Sequence, residues 1–144
     1  MTLAARSPTV DILSGDMRGI SSAFDKGETI MGMLRNERCA ACRRDSQPVT
    51  LEEIQELQPQ VPDWRLVERE SILRLERQFR FNNFLEALSF TNRVGTLAES
   101  EGHHPAILTE WGQVTVTLWT HAIRGLHRND FVMAAKIDSL VPSL

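Results

Sequence analysis

The chain has 144 residues, of which 42% are hydrophobic and 24% are charged, and its formal net charge at pH 7 is −3. These values are typical of one globular domain, and the acidic balance argues against a dedicated nucleic-acid binder. No apolar run approaches the roughly 20 residues that span a bilayer, and the N-terminus lacks a secretory signal, so we expect a cytoplasmic protein with no membrane and no nucleic-acid partner.

Residues 1–45 form a predicted N-terminal extension. They show no sustained period of 2 or 3.6, so we expect them to be largely disordered or loosely attached. They carry both cysteines, Cys39 and Cys42, as a C-A-A-C. One such pair without a secretion signal does not indicate a disulfide framework, and a structural zinc site would need two further ligands. We therefore place the folded domain at residues 46–144.

The domain begins with a predicted short helix and a strand. The sequence Thr50-Leu-Glu-Glu matches a capping box, in which Glu53 reaches back to the N–H of Thr50. The helix should run to about Leu57, because two prolines follow it. We then expect a strand at residues 64–68 and a turn near Glu70.

Residues 72–81, ILRLERQFRF, predict a second strand. Apolar and polar side chains alternate, as they do in a half-buried antiparallel strand. Arg77 is the one misfit on the apolar face. That face is formed by Leu73, Leu75, Phe79 and Phe81.

A long helix follows. Asn82 or Asn83 can cap it, and it should run to about Ser100, with Gly102 ending it in a left-handed conformation. Its apolar residues cover more than the roughly 100° stripe that a single core requires. The extra width predicts either a second buried surface, such as another subunit, or simply a well-covered core helix.

A hairpin comes next. Trp-Gly-Gln-Val predicts a two-residue turn with Gly112 as the first central residue and Gln113 as the second. This register places His104 opposite His121. On the second strand, Val114, Val116 and Leu118 face the helical core, whereas His121 faces away from it.

A last helix completes the domain. Asn129 is the predicted N-cap of a helix from Asp130 to about Leu140, and His127 is expected to lie exposed in the preceding loop. The order is helix–strand–strand–helix–strand–strand–helix. It predicts an α+β fold, with a four-stranded antiparallel sheet that carries three helices on one face.

Three histidines should converge at one end of the hairpin, near two carboxylates. His103, His104 and His121 could act as general acid and base near neutral pH, with Glu99 and Asp130 orienting them. The same histidines could bind zinc, although adjacent residues in extended chain point to opposite sides. They could also be solvated loop residues.

The spacing of these residues resembles the signature of the pterin-4a-carbinolamine dehydratases, in particular their bacterial branch. The matching pattern is Glu99-x3-His103-His104-Pro105-x5-Trp111-x9-His121-x8-Asp130. The likeness extends over roughly residues 39–138, through the strand LRLERQFRF and the segments FTNRVGTLAE and THAIRGLHRNDF.

The resemblance implies dehydration of 4a-hydroxytetrahydropterin to quinonoid dihydropterin, which recycles the cofactor of aromatic amino acid hydroxylases such as phenylalanine hydroxylase. It implies no metal, no bound cofactor, and assembly into homodimers or homotetramers. Catalysis would fall to His103, His104 and His121, of which the hairpin register favours His104 and His121 as the closest pair. Supporting residues would be Glu99, Asp130, Pro105 and Trp111, with Trp111 packed beneath the site.

One departure concerns Asn129, since animal members have an arginine before the aspartate. The alternative function is a protein-binding regulatory or dimerisation factor that acts without catalysis.

Overall fold

The computed structural model describes residues 34–142. Its elements follow the predicted order and confirm the α+β class. They are α1 (Leu51–Leu57), β1 (Arg65–Arg69), β2 (Ile72–Arg80), α2 (Phe84–Glu101), β3 (Ala106–Glu110), β4 (Gln113–Leu118) and α3 (Arg128–Asp138). Short 3₁₀ turns follow α1 and β4. The prediction of disorder covered residues 1–45, and its residues 1–33 lie outside the described part of the chain. Within residues 34–142, no helix is long and apolar enough to cross a membrane.

The four strands form one antiparallel sheet in the order β1-β2-β4-β3. Its alternating apolar side chains and the apolar faces of the helices make one buried core. The largest contributors are Trp64, Leu75, Phe79, Phe90, Val94, Val114, Val116, Leu118, Phe131, Met133 and Ile137. The inward direction predicted for the apolar residues of β4 is confirmed, since Val114, Val116 and Leu118 are fully buried.

Two predicted helix caps are confirmed. Thr50 Oγ1 accepts from the N–H of Glu53 at 3.2 Å, and the Glu53 carboxylate accepts from the N–H of Thr50 at 2.8 Å. Asn83 caps α2 by accepting from the N–H of Glu86. These bonds satisfy backbone donors that a helix start leaves open.

Arg77, the misfit of the predicted strand, joins the sheet to α3. Its guanidinium donates to Asp138 at 2.6 Å and lies 3.2 Å from Asp63. The indole N–H of Trp64 donates to the same Asp138 oxygen at 2.7 Å. Burial raises the pKa of Asp138, while the bonds from Trp64 and Arg77 act in the opposite direction. Arg77, although it lies on the apolar face of β2, therefore fixes the position of α3 through Asp138.

The hairpin register differs from the prediction. Glu110 pairs with Gln113 and Ala106 with Thr117, so the central turn residues are Trp111 and Gly112. Gly112 has a φ of 69°, and a Cβ at this position would lie 3.0 Å from the carbonyl oxygen of Phe81. Glycine is thus required at the second central position, not the first. The predicted pairing of His104 with His121 is wrong.

The start of α3 also differs. The N-cap is His127 and the helix begins at Arg128, so the prediction of Asn129 as N-cap is wrong. His127 Nδ1 accepts from the N–H of Asn129 at 3.1 Å, and Asp130 accepts from the N–H of His127 at 2.9 Å. This is a capping box in which an imidazole replaces the usual hydroxyl. His127 is half-buried rather than exposed in a loop.

Helix α2 has apolar residues on two sides. Ala87, Phe90, Val94 and Ala98 face the core, whereas Leu85 is 77% exposed and Leu88 is 39% exposed. The exposed side lines an open groove together with Leu140. The wide stripe therefore includes a surface that the described single chain leaves in solvent.

Candidate active site

The candidate site lies in the connection between the end of α2 and the start of β3, close to the start of α3. Gly102 ends α2 with a φ of 65°, as predicted, and the N–H of His103 donates back to the carbonyl of Ala98 at 3.2 Å. This reversal turns His103 toward the interior, where its exposed fraction is 7%.

Asp130 holds His103 in place. The carboxylate is fully buried and lies in the first turn of α3, where the helix dipole favours a negative charge. One oxygen lies 2.6 Å from Nε2 of His103, and the other accepts from the Thr120 hydroxyl at 2.8 Å and from the His127 N–H. With Asp130 ionised, Nε2 of His103 donates to it, and Nδ1 is the nitrogen left for a substrate.

His104 is held more loosely. Its Nε2 lies 2.9 Å from a carboxylate oxygen of Glu99, but the two side chains are 62% and 83% exposed. An exposed pair of this kind contributes at most about 1 kcal/mol, because water screens it. Glu99 can therefore orient His104 without fixing it.

His121 is exposed and begins the 3₁₀ turn after β4. Its ring centroid lies 4.4 Å from that of Trp119, and the Arg74 guanidinium covers the Trp119 ring at 4.1 Å. If the observed register is continued beyond the ladder, His104 lies opposite Trp119 and His103 opposite Thr120. The Asp130 carboxylate joins His103 and Thr120, which agrees with that continuation. His103 is therefore linked through Asp130 to Thr120, the residue before His121, although by a different register from the predicted one.

Two predicted supporting residues lie elsewhere. Pro105 is half-buried and stands between His104 and the start of β3. Trp111 lies in the turn at the opposite end of β3 and is 74% exposed. The expectation that Trp111 packs beneath the histidines is not met within one chain.

The geometry does not assemble a metal site in the described part of the chain. No group of three or more His, Cys, Asp and Glu side chains between residues 34 and 142 is arranged to hold an ion. His103 and His104 direct their Nε2 atoms to different carboxylates. Two imidazoles, each hydrogen-bonded to a carboxylate, form an arrangement that can support proton transfer.

Sequence reasoning missed two residues of this corner. Thr120 contacts Asp130, and Trp119 contacts His121. Both would have been found from the correct hairpin register, which places them opposite His103 and His104.

The chain is similar in sequence to known proteins of one family. The family model described as pterin 4 alpha carbinolamine dehydratase matches residues 47–140. A Nitrosococcus oceani protein named "Putative pterin-4-alpha-carbinolamine dehydratase" is 59% identical over 108 residues, which cover 75% of this chain and 96% of that protein. A Gloeobacter violaceus protein named "Putative pterin-4-alpha-carbinolamine dehydratase 1" is 64% identical over 107 residues, which cover 74% and 92%.

A solved structure from Brucella melitensis, described as a transcriptional coactivator/pterin dehydratase, has a TM-score of 0.59 and 30% sequence identity to this chain. The match covers 65% of this chain and 98% of that one. The family match and the identity to these relatives show that the chain belongs to the pterin 4 alpha carbinolamine dehydratase family.

Proposed function

We propose that this protein dehydrates 4a-hydroxytetrahydropterin to quinonoid dihydropterin and water, using its histidines as acid and base. The observation that carries the proposal is the buried Asp130. It bonds to His103, the residue before His104, and to Thr120, the residue before His121. Family membership supplies the substrate class. The relatives' names support the same activity.

The reaction needs two proton transfers and no change of oxidation state. An imidazolium gives a proton to the C4a hydroxyl, the C4a–O bond breaks, and water leaves. A neutral imidazole takes the N5 proton, and the electron pair of the N5–H bond forms the N5=C4a double bond. The enzyme gives one proton and receives one, so it returns to its starting charge.

The hydrogen bonds support a division of roles. His103, with Nε2 bonded to Asp130, presents Nδ1 as a proton acceptor when neutral. The side chains of His104 and His121 are exposed, so they are the candidates for delivering a proton to the departing hydroxyl. In the observed hairpin register, His104 does not lie opposite His121, so the register does not single out these two histidines as the closest pair.

We also propose that the product serves cofactor recycling. Quinonoid dihydropterin is the form that a reductase returns to tetrahydropterin for an aromatic amino acid hydroxylase, such as phenylalanine hydroxylase. The dehydration step itself needs no metal and no bound cofactor, because protonation of the hydroxyl alone makes it a leaving group.

The wild-type protein is expected to accelerate the decay of 4a-hydroxytetrahydropterin. Stopped-flow ultraviolet absorbance, with the carbinolamine generated just before mixing, measures the rate against buffer alone. Treatment with a chelator should leave the acceleration unchanged. A wild-type rate equal to the buffer rate would remove the proposal.

The exposed side of α2 supports assembly into a homodimer or homotetramer. Leu85 and Leu88 present apolar surface that a second copy of the chain can cover. We expect Leu85→Glu to shift the protein to a smaller assembly in sedimentation velocity, because a charge would be buried at the contact. Gln55→Glu, on the exposed face of α1, is the matched control and should sediment like the wild type. Identical sedimentation of both variants and the wild type would argue against this contact.

A second candidate is a protein-binding regulatory role. It is favoured by the description of the Brucella melitensis relative as a transcriptional coactivator as well as a pterin dehydratase. Such a role would act through protein surfaces and would survive replacement of all three histidines, whereas dehydration would not.

A further inference from the structure

Residues 37–42, which we call the strap, contact the corner that contains His103 and Asp130. The strap includes the C-A-A-C and precedes residues 47–140, the part that the family model matches. The sequence predicted loose attachment here. In the structure, the neighbouring Leu34 is fully buried, and Cys39 packs against the core.

One end of the contact is Asn129, the residue before Asp130. Its side-chain oxygen accepts from the Ala40 N–H at 3.0 Å, and its side-chain nitrogen donates to the Ala40 carbonyl at 2.6 Å. The same nitrogen lies 3.0 Å from Sγ of Cys42. Asn129 is 3% exposed, so the strap supplies the hydrogen bonds that this buried amide requires.

The other end is Glu101, two residues before His103. Its carboxylate accepts from the Cys39 N–H at 3.0 Å and also bonds to Lys136 on α3. These two bonds lower the pKa of Glu101. Arg128, in the first turn of α3, adds a two-pronged bond to Glu37 at 2.7 and 2.9 Å.

The strap thus ties the end of α2 to the start of α3, and each of these segments carries one partner of the His103–Asp130 bond. From this geometry we infer that the strap sets the distance and angle of that bond, and that Asn129 is a positioning residue that acts through Asp130. This inference rests on the proposed function insofar as it concerns catalysis.

The cysteines serve this contact as packed thiols. Sγ of Cys39 lies 3.8 Å from the carbonyl oxygen of Asn129, and burial raises the pKa of Cys39 to about 12. A thiol with so high a pKa is a poor nucleophile and a poor metal ligand at neutral pH. Cys39 therefore contributes packing and a weak hydrogen bond to the strap.

Asn129→Ala in the full chain tests the inference. We expect kcat to fall about tenfold or more with KM within about twofold, because a small misplacement of a catalytic group has effects of this size. The Nε2 resonances of His103 in ¹⁵N NMR should also change, since its bond to Asp130 is disturbed. Gln55→Ala, an exposed amide on α1, is the control and should change neither. Ala40→Pro is the second variant, because it removes the backbone N–H that donates to the side-chain oxygen of Asn129. The Ala40 side chain is exposed, so the change removes little packing.

Each outcome decides the inference. Lower kcat together with altered His103 resonances in a folded variant supports it. Unchanged His103 resonances in a folded variant would overturn it, whatever happens to kcat or the melting temperature, because the strap would then be purely structural. Altered resonances with wild-type kcat would overturn the positioning role of Asn129 in catalysis. The NMR measurement does not depend on activity, so it still tests the strap if the wild-type protein shows no dehydratase activity.

Discussion

His121→Ala is expected to lower kcat for carbinolamine dehydration by about 10²-fold, the typical contribution of a group that transfers a proton in the transition state. His121 is exposed, and its ring packs against Trp119. Its removal should therefore leave the core intact, and the thermal unfolding midpoint should stay within a few degrees of the wild type. Stopped-flow absorbance measures the rate, and circular dichroism measures the midpoint.

The pH dependence of kcat separates a chemical role of His121 from a structural one. If His121 transfers a proton, one ionisation should disappear from the wild-type profile in the variant. Gln55→Ala should keep the full profile. A folded His121→Ala protein with wild-type kcat at every pH would show that His121 takes no part in the chemistry.

Asp130→Asn is expected to lower kcat by about 10²-fold or more, because an amide cannot hold the same histidine tautomer. The amide oxygen can still accept from Thr120 and from the His127 N–H, but its NH₂ then faces Nε2 of His103. His103 must then accept at Nε2 and carry its proton on Nδ1, as in carboxylate-to-amide changes of catalytic triads. ¹⁵N NMR of the His103 ring reports the tautomer directly.

Asp130→Ala gives the contrasting result. It leaves the Thr120 hydroxyl and the His127 N–H without their buried acceptor, and we expect it to destabilise the fold by roughly 2–4 kcal/mol in denaturant titration. Asn at this position should cost much less stability while it loses most of the activity. Wild-type kcat in Asp130→Asn would contradict the role given to the His103–Asp130 bond.

Local patterns in the sequence predicted most of the fold. Alternation marked β2, and the capping signals of Thr50 and Asn83 marked the starts of α1 and α2. Gly102 marked the end of α2. Each of these signals acts over a few residues, where backbone hydrogen bonding depends on side chains nearby in sequence.

The hairpin shows why the site was harder to predict. The sequence places Gly112 in a two-residue turn but allows it either central position, and the choice moves every partner by two residues. A shift of two keeps each side chain on its face of the sheet. The burial of Val116 was therefore predicted correctly, while the partner of His104 was assigned as His121 instead of Trp119.

The strap was not predictable from local patterns. It contains no regular element between residues 37 and 42, so periodicity carries no signal there. Ala40 and Asn129, which form its central contact, lie 89 positions apart in the chain. Such a contact depends on the finished fold, whereas local sequence signals do not reach that far.

The central claim is that the imidazoles of one corner perform the dehydration. The most direct test compares the rate of 4a-hydroxytetrahydropterin decay for the wild-type protein with that for a variant in which His103, His104 and His121 are all glutamine. We predict that the wild type accelerates the decay and that the folded triple variant reacts at the rate of buffer alone. A triple variant that is folded and retains the wild-type rate would contradict the claim.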